Sequence, residues 1–328
     1  MAPLDHRQQF RLEDLLHSAH EILANKPDAI VAWRLLRDVL HLAEDDPELV
    51  EAKEKALVSK WVHQLEETQL PDGSWGRFHS QDTKQKTTFR TSEEAIDRAF
   101  ALGLEADHPI LTQVQRYIQL VLQGQACVTD RDEKNEAWPL LIRLILAGRL
   151  AQINPNDELL DPIWSYMARV VQQAFTSGKY RLEDEVAAYQ RLSKIHIPQG
   201  FLESQHALWI LCSRALPNQL ERALISWIWS KPDGIRYIRI PLYAPEHRRI
   251  GYWLRSMNLL THFSSWREMS LDMLNQMWEL RDEHGWWDFG SQVAGSVEFP
   301  LSENWRQSMR RKLDYSTSML ILLRKYFD

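Results

Sequence analysis

The chain has 328 residues, of which 44% are hydrophobic and 26% are charged, and its formal net charge is −6 at pH 7. This composition is typical of a globular protein and excludes a disordered or fibrous chain. Acidic and basic residues are mixed along the sequence, without the basic surplus that nucleic-acid binding requires. We therefore expect no nucleic-acid partner.

Cysteine chemistry and membrane insertion are equally unsupported by the sequence. Cys127 and Cys212 are the only cysteines, and their spacing fits neither a disulfide framework nor a cysteine-based metal site. No apolar run approaches the roughly 20 residues of a membrane span, and no signal peptide is visible. Phosphate-binding and dinucleotide-binding motifs are also missing. We expect a cytoplasmic protein with no integral membrane segment, no metal and no cofactor.

Apolar residues recur at helical spacing through most of the chain, and the alternation typical of strands is scarce. Helix starts are indicated where a capping residue precedes proline, at Asp46, at Asp107-His108 and at Asp161, and by a capping-box pattern that begins at Thr91. The predicted helices span residues 10–24, 28–44, 47–67, 91–103, 108–123, 136–152, 158–177, 181–194, 200–215, 217–230, 247–262, 265–281 and 304–327.

Three longer loops, 69–78, 231–238 and 281–290, share one form. Each follows a tryptophan-containing helix and turns through an acidic residue and a glycine before it presents aromatic side chains. Glycine can adopt the positive φ that such a turn requires. We expect the aromatic side chain after each turn to fold back onto the helix pair, as in a repeat architecture whose core is buried by stacking.

The first of these loops carries the clearest motif. Gln69, Gly73 and Trp75 form the pattern Q-x-x-x-G-x-W. This pattern resembles the QW repeat of squalene–hopene cyclases and their relatives, the prenyltransferase/squalene-oxidase repeat group. In that family the glutamine and tryptophan tie adjacent helix pairs together at the outside of an α/α barrel.

The third loop resembles the repeat in part, since Gly285 and Trp287 match it while Arg281 replaces the glutamine. The middle loop keeps only the Asp-Gly turn and an aromatic residue, Tyr237. The resemblance implies one all-α domain over residues 1–328, an α/α toroid of about six antiparallel helix hairpins around a central cavity. It also implies that Trp75 and Trp287 pack between helices, away from any ligand.

The resemblance points to an acid as the catalytic group, because the family's cyclases use a D-x-D-D motif. The nearest match here runs from Asp130 through Asp132 to Glu133. Clustered carboxylates can keep a proton near neutral pH, so Asp132 is the expected donor, with Asp130 and Glu133 tuning or reprotonating it. The alternative is an acidic loop that precedes a helix. A rival donor is the neighbourhood of His284 and Asp288.

The expected substrate-binding residues are mostly aromatic, because aromatic faces line apolar pockets and stabilise cations. Arginine could in addition bind a diphosphate or carboxylate, although the cluster of Arg306, Arg310, Arg311 and Lys312 could equally pair with surface acids. The candidates are Trp209, Trp286, Trp305, Arg306 and Tyr315.

Three functions remain open at this point. The first is a terpene cyclase-like protein that handles a hydrophobic isoprenoid-type small molecule, through acid-initiated cyclisation or isomerisation. The second is a carbohydrate-active (α/α)6 barrel, which would need two opposed carboxylates in its cavity, with candidates Glu183, Asp184, Glu185 and Asp288. The third is a non-catalytic toroid that binds a peptide or protein partner.

Overall fold

The computed structural model of the chain describes residues 9–80, 88–131, 136–291 and 297–328. Within these ranges the regular elements are helical, and the only β-type pairing is an isolated bridge between Ser204 and Arg236. The predicted all-α class is therefore confirmed. The α-helices are α1 (Leu12–Ala24), α2 (Ala29–Asp38), α3 (Pro47–Leu57), α4 (Lys60–Thr68), α5 (Ser92–Leu102), α6 (Pro109–Leu122), α7 (Trp138–Ile153), α8 (Leu160–Ala174), α9 (Leu182–Ser193), α10 (Gln205–Cys212), α11 (Asn218–Ser230), α12 (Ile250–Leu260), α13 (Trp266–Glu279) and α14 (Ser308–Arg324).

The helix boundaries differ from the predicted ones chiefly in two places. The predicted helix 47–67 is interrupted at Ser59, whose extended backbone (φ −68°, ψ 153°) separates α3 from α4. The second helix ends at Asp38 rather than near residue 44, and His41 beyond it has a φ of 53°. Both breaks turn the chain without proline or glycine, so no local signal marked them.

Side-chain caps start several helices as expected. The Asp46 carboxylate accepts the Glu48 amide at 2.9 Å, and the Thr91 hydroxyl accepts the Glu94 amide at 3.2 Å. His108 caps α6, since its Nδ1 accepts the Ile110 amide at 3.3 Å. The cap predicted at Asp161 is wrong, because α8 already begins at Leu160 and Asp161 lies in its first turn.

The two ends of the chain pack together. Helix α14 contacts both α1 and α2. The Arg310 guanidinium donates to the Lys26 carbonyl at 2.7 Å, and that of Arg324 donates to the Val39 carbonyl at 3.3 Å. The buried apolar side chains form a cluster that extends from Phe10 to Leu323. The contact expected between the first and last helix pairs is therefore present.

The first and third loops have the same local geometry, although they are far apart in sequence. In the first, the Leu70 amide donates to the Ser74 carbonyl at 2.8 Å, and Gly73 has a φ of 91°. In the third, the Asp282 amide donates to the Trp286 carbonyl at 2.7 Å, and Gly285 has a φ of 76°. These turns match the pattern that the sequence indicated.

Trp75 and Trp287 are anchored in equivalent ways. Their indole N–H groups donate to the carbonyls of Leu65 and Met277, at 3.1 and 2.7 Å. Their own amides donate to serine hydroxyls of a following helix, at 2.9 Å for Trp75 and 3.0 Å for Trp287. Both indoles are buried. The two tryptophans therefore join each turn to the helix before it and the helix after it.

Gln69 and Arg281 complete these turns by different chemistry. The Gln69 amide group donates to the Gly73 and Ile110 carbonyls, both at 2.9 Å, and so ties the turn to α6. The Arg281 guanidinium lies over the Trp278 ring, 3.2 Å from its centroid, and is 6.0 Å from that of Trp287. Arginine thus replaces a glutamine hydrogen bond with a cation–π contact.

The middle loop does not follow this pattern. Tyr237, expected to fold back onto the preceding helix pair, is 44% exposed and has a φ of 75°. Its ring lies 5.3 Å from that of His79 and 5.4 Å from that of His206. The position that corresponds to Trp75 is Arg236, which pairs with Glu203. The expectation for Tyr237 is therefore wrong.

A helix that crosses a membrane must be long and apolar. Among the described residues, none of the helices combines the length and the apolar character that crossing a bilayer requires.

Replacing either anchored tryptophan should destabilise the fold. We expect Trp75→Ala and Trp287→Ala each to lower the free energy of unfolding by about 3–5 kcal/mol, because each removes a buried indole and leaves a cavity. Urea unfolding followed by circular dichroism measures the change. Leu280→Ala, at a side chain that is 46% exposed, is the control and should leave the stability nearly unchanged. Equal stability of the tryptophan variants and the control would contradict the anchoring role.

Candidate functional site

A buried ionic cluster lies where α5, α7 and α10 meet. Glu93 and Asp97 are one helical turn apart on α5, so both carboxylates lie on the same face. The Arg149 guanidinium of α7 donates to Glu93 Oε1 at 2.8 Å and to the two Asp97 oxygens at 2.6 and 3.1 Å. Arg149 is only 1% exposed, so its charge is balanced entirely inside the protein.

Two histidines bind the same glutamate from opposite sides. His206 of α10 forms a short hydrogen bond from Nε2 to Glu93 Oε1, and His79 forms one from Nδ1 to Glu93 Oε2. The other ring nitrogen of His206, Nδ1, is buried and has no hydrogen-bond partner among the residues that the structure describes. Glu93 is thus shared among two imidazoles and a guanidinium.

Asp130 fixes the loop that carries His79. Its carboxylate accepts the backbone amides of Phe78, His79 and Ser80 at 2.6, 2.8 and 2.5 Å. An ionised carboxylate can accept several hydrogen bonds at once, and these three fix the backbone of residues 78–80. Asp130 therefore positions His79.

Helix α10 reaches this cluster because α7 has a glycine at the contact. A Cβ added at Gly148 would lie 2.7 Å from the Cα of His206, closer than packed atoms allow. The absence of a side chain there lets the two backbones approach, which brings the His206 ring to Glu93.

Burial and charge act in opposite directions on these groups. Burial lowers the pKa of His206 to about 4, so its imidazole is neutral at pH 7. Burial also opposes ionisation of Glu93, but the charge of Arg149 and the hydrogen bonds from His206 and His79 outweigh it and hold the pKa of Glu93 well below its usual value. For His79, burial is outweighed by the hydrogen bond and the charge of Glu93, which raise its pKa.

A cavity of about 310 Å³ lies beside this cluster. Six helices contribute to its wall: α2, α5, α7, α10, α12 and α14. Its apolar side includes Phe100, Trp209 and Leu254. The polar and charged lining residues are Arg34, Asp97, Gln152, Arg255, Asn258, His262, Glu298, Ser318 and Lys325.

The cavity and the ionic cluster share two residues. Asp97 belongs to both, and Arg255 of α12 binds the Asp97 carboxylate from the cavity side. Arg255 also donates to the Gln205 side-chain oxygen at 2.7 Å. Arg149 bridges Asp97 and Glu93, so the cavity is linked through Arg149 to the triad formed by His79, Glu93 and His206.

Glu298 is the cavity group best suited to hold a proton near neutral pH. Burial raises the pKa of Glu298 to about 7, against the lowering effect of Arg255 and with a further rise caused by Asp97. Burial lowers the pKa of His262 to about 4 and also lowers that of Lys325. At pH 7 Glu298 is therefore divided between its acid and its carboxylate.

Of the three carboxylates in the predicted acid motif, the structure describes Asp130. Asp132 and Glu133 lie outside the described residues. Asp130 binds the 78–80 amides and is not among the residues that line the cavity.

The rival donor pair is exposed and separated from the cavity. The His284 side chain is 66% exposed and lies with Trp286 at a surface cleft beside α1. Asp288 accepts the Gly290 amide at 2.9 Å and lies 3.5 Å from Arg311. A proton relay between His284 and Asp288 stays a prediction, at a surface position.

The predicted aromatic binders separate into two groups. Trp209 lines the cavity and packs against His262, with ring centroids 4.9 Å apart and an interplanar angle of 57°. Trp305 and Tyr315 instead pack with Phe299 in an aromatic cluster, and the Tyr315 hydroxyl donates to the Gly290 carbonyl at 2.7 Å. Of the predicted substrate-binding residues that the structure describes, Trp209 alone is brought to the cavity.

The predicted basic cluster is mostly paired. Arg310 lies 3.4 Å from Asp28, Arg311 lies 3.5 Å from Asp288, and Lys312 lies 2.7 Å from Asp282. Arg306 is exposed. Three of these four residues therefore pair with acidic side chains, as the alternative interpretation predicted.

The residues that do assemble were largely missed from sequence. Glu93 stands in a capping-box segment, and its position in the first turn of α5 suggested only a favourable helix end. The available signal was Arg149, a charged residue that continues the apolar run of α7. A charge in a wholly buried helix requires buried partners.

No protein-family model, no curated protein and no solved structure matches the chain.

The buried ionic cluster gives a direct stability test. We expect Arg149→Met to lower the free energy of unfolding by about 3–5 kcal/mol, because Glu93 and Asp97 would remain buried without their cation. The matched control is Arg222→Met, which breaks an exposed 2.5 Å pair with Glu268 and should leave stability nearly unchanged. Chemical denaturation of both variants measures the difference, and equal effects would refute the structural role of Arg149.

Proposed function

We propose that the protein is an acid–base enzyme for a small molecule held in the central cavity, with Glu298 as the proton donor. The observation that carries the proposal is the position of Glu298, a half-buried carboxyl group that lines one cavity with Asp97 and Arg255. Burial raises its pKa to about 7, which supports the assignment. A general acid is most effective when its pKa lies near the working pH. Asp97 is already an acceptor for two guanidiniums, so Glu298 is the better donor.

The proton transfer has a defined course. Glu298 donates its proton to the substrate and becomes a carboxylate, which the nearby charges of Arg255 and Arg34 stabilise. The substrate then rearranges and loses a proton, which returns to Glu298. An acid with a pKa near 7 protonates an oxygen, such as that of an epoxide or a hydroxyl, more readily than an unactivated double bond. The chemistry is thus acid-initiated cyclisation or isomerisation at an oxygen-bearing centre.

The cavity lining limits the substrate class. A volume of about 310 Å³ lies at the small end of ligand pockets, which span roughly 300–1,000 Å³. Phe100, Trp209 and Leu254 offer an apolar surface, while Arg34 and Lys325 offer cations. An isoprenoid-type molecule would therefore be short and carry an oxygen-bearing or anionic end.

The proposal includes a closed α/α toroid of the kind found in squalene–hopene cyclase-like proteins. Its support comes from the order of helix contacts around the cavity: α2 with α14, α14 with α12, α12 with α10, and α10 with α7. Arg149 links α7 to α5, and Arg34 of α2 donates to the Ala101 carbonyl of α5 at 2.6 Å. The equivalent turns around Trp75 and Trp287 add support for a repeat.

A second candidate is a carbohydrate-active enzyme, favoured by the presence of two carboxyl groups, Asp97 and Glu298, in one cavity together with Trp209. Such enzymes use a pair of carboxyl groups with separated pKa values. The earlier candidate Glu185 does not serve here, because it is buried and accepts the amides of Phe201 and Leu202. Hydrolysis of disaccharides, with no reaction of isoprenoids, would select this candidate.

The first test removes the proton of Glu298. The protein is incubated with isoprenoid alcohols, epoxides and diphosphates of about ten to fifteen carbons, which suit a pocket of this size, and products are identified by gas chromatography and mass spectrometry. Glu298→Gln keeps the shape of the side chain and should reduce turnover by about 10²–10⁴-fold with substrate binding retained. Glu283→Gln, at an exposed turn, is the control. Undiminished turnover in Glu298→Gln would refute the donor assignment.

The pH dependence gives a second test. The donor must be protonated, so kcat/KM should be constant below pH 7 and fall about tenfold per unit above it as Glu298 ionises. The charged groups that act on Glu298 are Arg255, Asp97, Arg34 and Arg98. A profile that rises with pH through 7 would instead require a base.

A further inference from the structure

The His79–Glu93–His206 triad is a second chemically active group, distinct from the cavity acid. The three residues come from the 77–80 loop, α5 and α10, and each offers one metal-ligand atom. These atoms all lie within 4.8 Å of one another. Among the residues that the structure describes, this is the one group of three or more histidine, cysteine or acidic side chains with such a spacing.

We propose that the triad binds a divalent transition-metal ion, with Zn²⁺ as the best fit. Two imidazole nitrogens and one carboxylate oxygen form the donor set of many catalytic zinc sites, in which bonds of about 2.0–2.2 Å leave a fourth position open. Coordination requires Nε2 of His206 and Nδ1 of His79 to carry no proton. The proton of the neutral His206 ring therefore moves to Nδ1, and His79 carries its proton on Nε2 and releases any second proton to solvent. Small side-chain rotations bring the three ligand atoms to the tetrahedral spacing.

The surroundings favour a low coordination number. Arg149 occupies the far side of Glu93 Oε1, and the Phe201 ring is stacked on His206 with an interplanar angle of 10°. The rings of Trp138 and Tyr237 lie beside His79, at 6.3 and 5.3 Å. These groups leave the partly exposed edge of His79 as the approach for one further ligand, which suits a four-coordinate ion better than an octahedral one.

The ligands are also held in place before any ion binds. Asp130 fixes the His79 loop through three amides, and Gly148 sets the depth at which His206 enters. Arg149 donates to Glu93 and to both oxygens of Asp97, and its charge favours the ionised form of Glu93, which is the form that binds an ion. In metal sites the residues that surround the ligands hold them in position and tune their charge, and Asp130, Gly148 and Arg149 would do so here.

Metal binding is tested on the full chain without any substrate, so its outcome is independent of the cavity chemistry. Protein freed of metal by chelator is titrated with Zn²⁺ against a chromogenic competitor, and the bound metal is counted by mass spectrometry. One Zn²⁺ per chain is expected. His79→Ala, at the least buried ligand, should weaken binding by at least about 100-fold, the upper range for loss of an outer partner. His284→Ala, at an exposed histidine, should leave affinity unchanged.

Co²⁺ gives a second readout on the unaltered protein, which applies even if a variant fails to fold. Co²⁺ in a four-coordinate nitrogen–oxygen site should show the intense visible absorption of tetrahedral geometry, and Zn²⁺ should displace it. Fe²⁺ bound in preference to Zn²⁺ would overturn the choice of zinc. Binding that is equal in the unaltered protein and in His79→Ala, or an octahedral Co²⁺ spectrum, would overturn the site.

Discussion

The pairing of Arg149 with Glu93 and Asp97 is the constraint on which the centre of this molecule depends. A guanidinium that is 1% exposed must have its charge and its N–H groups satisfied inside the protein. The two carboxylates one turn apart on α5 do this, and in doing so they fix the rotation of α5 against α7. With α5 in this position, the carboxylates of Glu93 and Asp97 can accept further hydrogen bonds. His206 of α10 binds Glu93, and Arg255 of α12 binds Asp97. The polar centre thus forms one connected network rather than a set of separate pairs.

This network lies between the two places where we propose chemistry. Fully satisfied buried polar groups are rigid, because each rotation breaks several hydrogen bonds at once. The rigid part consists of Arg149, Glu93 and Asp97. Glu298, which lines the cavity, and His79, which is partly exposed, lie at its two ends. Proton transfer is proposed at the first end and metal binding at the second, and the shared carboxylate–guanidinium core would couple their charges.

The sequence predicted the local structure well because helices, caps and turns depend on neighbours. The apolar periodicity located the helices, and the Gly73–Trp75 and Gly285–Trp287 patterns located two turns whose hydrogen bonds prove equivalent. The middle loop was misjudged because Arg236, and not an aromatic residue, stands at the position of Trp75. Its arginine pairs with Glu203, thirty-three positions away along the chain, which no local pattern could indicate.

The site was harder to predict for the same reason. His79, Glu93, Arg149 and His206 come from four elements, and the contact between His206 and Glu93 joins residues 113 positions apart. Asp130 was expected to tune or reprotonate the predicted donor Asp132, because it stands in the motif that resembles D-x-D-D. Only the folded chain brings it to three amides that lie 50–52 positions earlier, and these assign it to holding His79.

The contact between α14 and the first two helices has a consequence for how the chain reaches this state during synthesis. Arg310 and Lys26 are 284 positions apart, and Arg324 and Val39 are 285 apart. At a translation rate of 5–20 residues per second, α1 and α2 would wait roughly 15–60 s for their partner to emerge from the ribosome. During that interval their apolar faces are open to other chains. Long-range closure of this kind also slows spontaneous folding. The helices α1 and α2 therefore lack their packing partner until α14, which ends at Arg324, has been made.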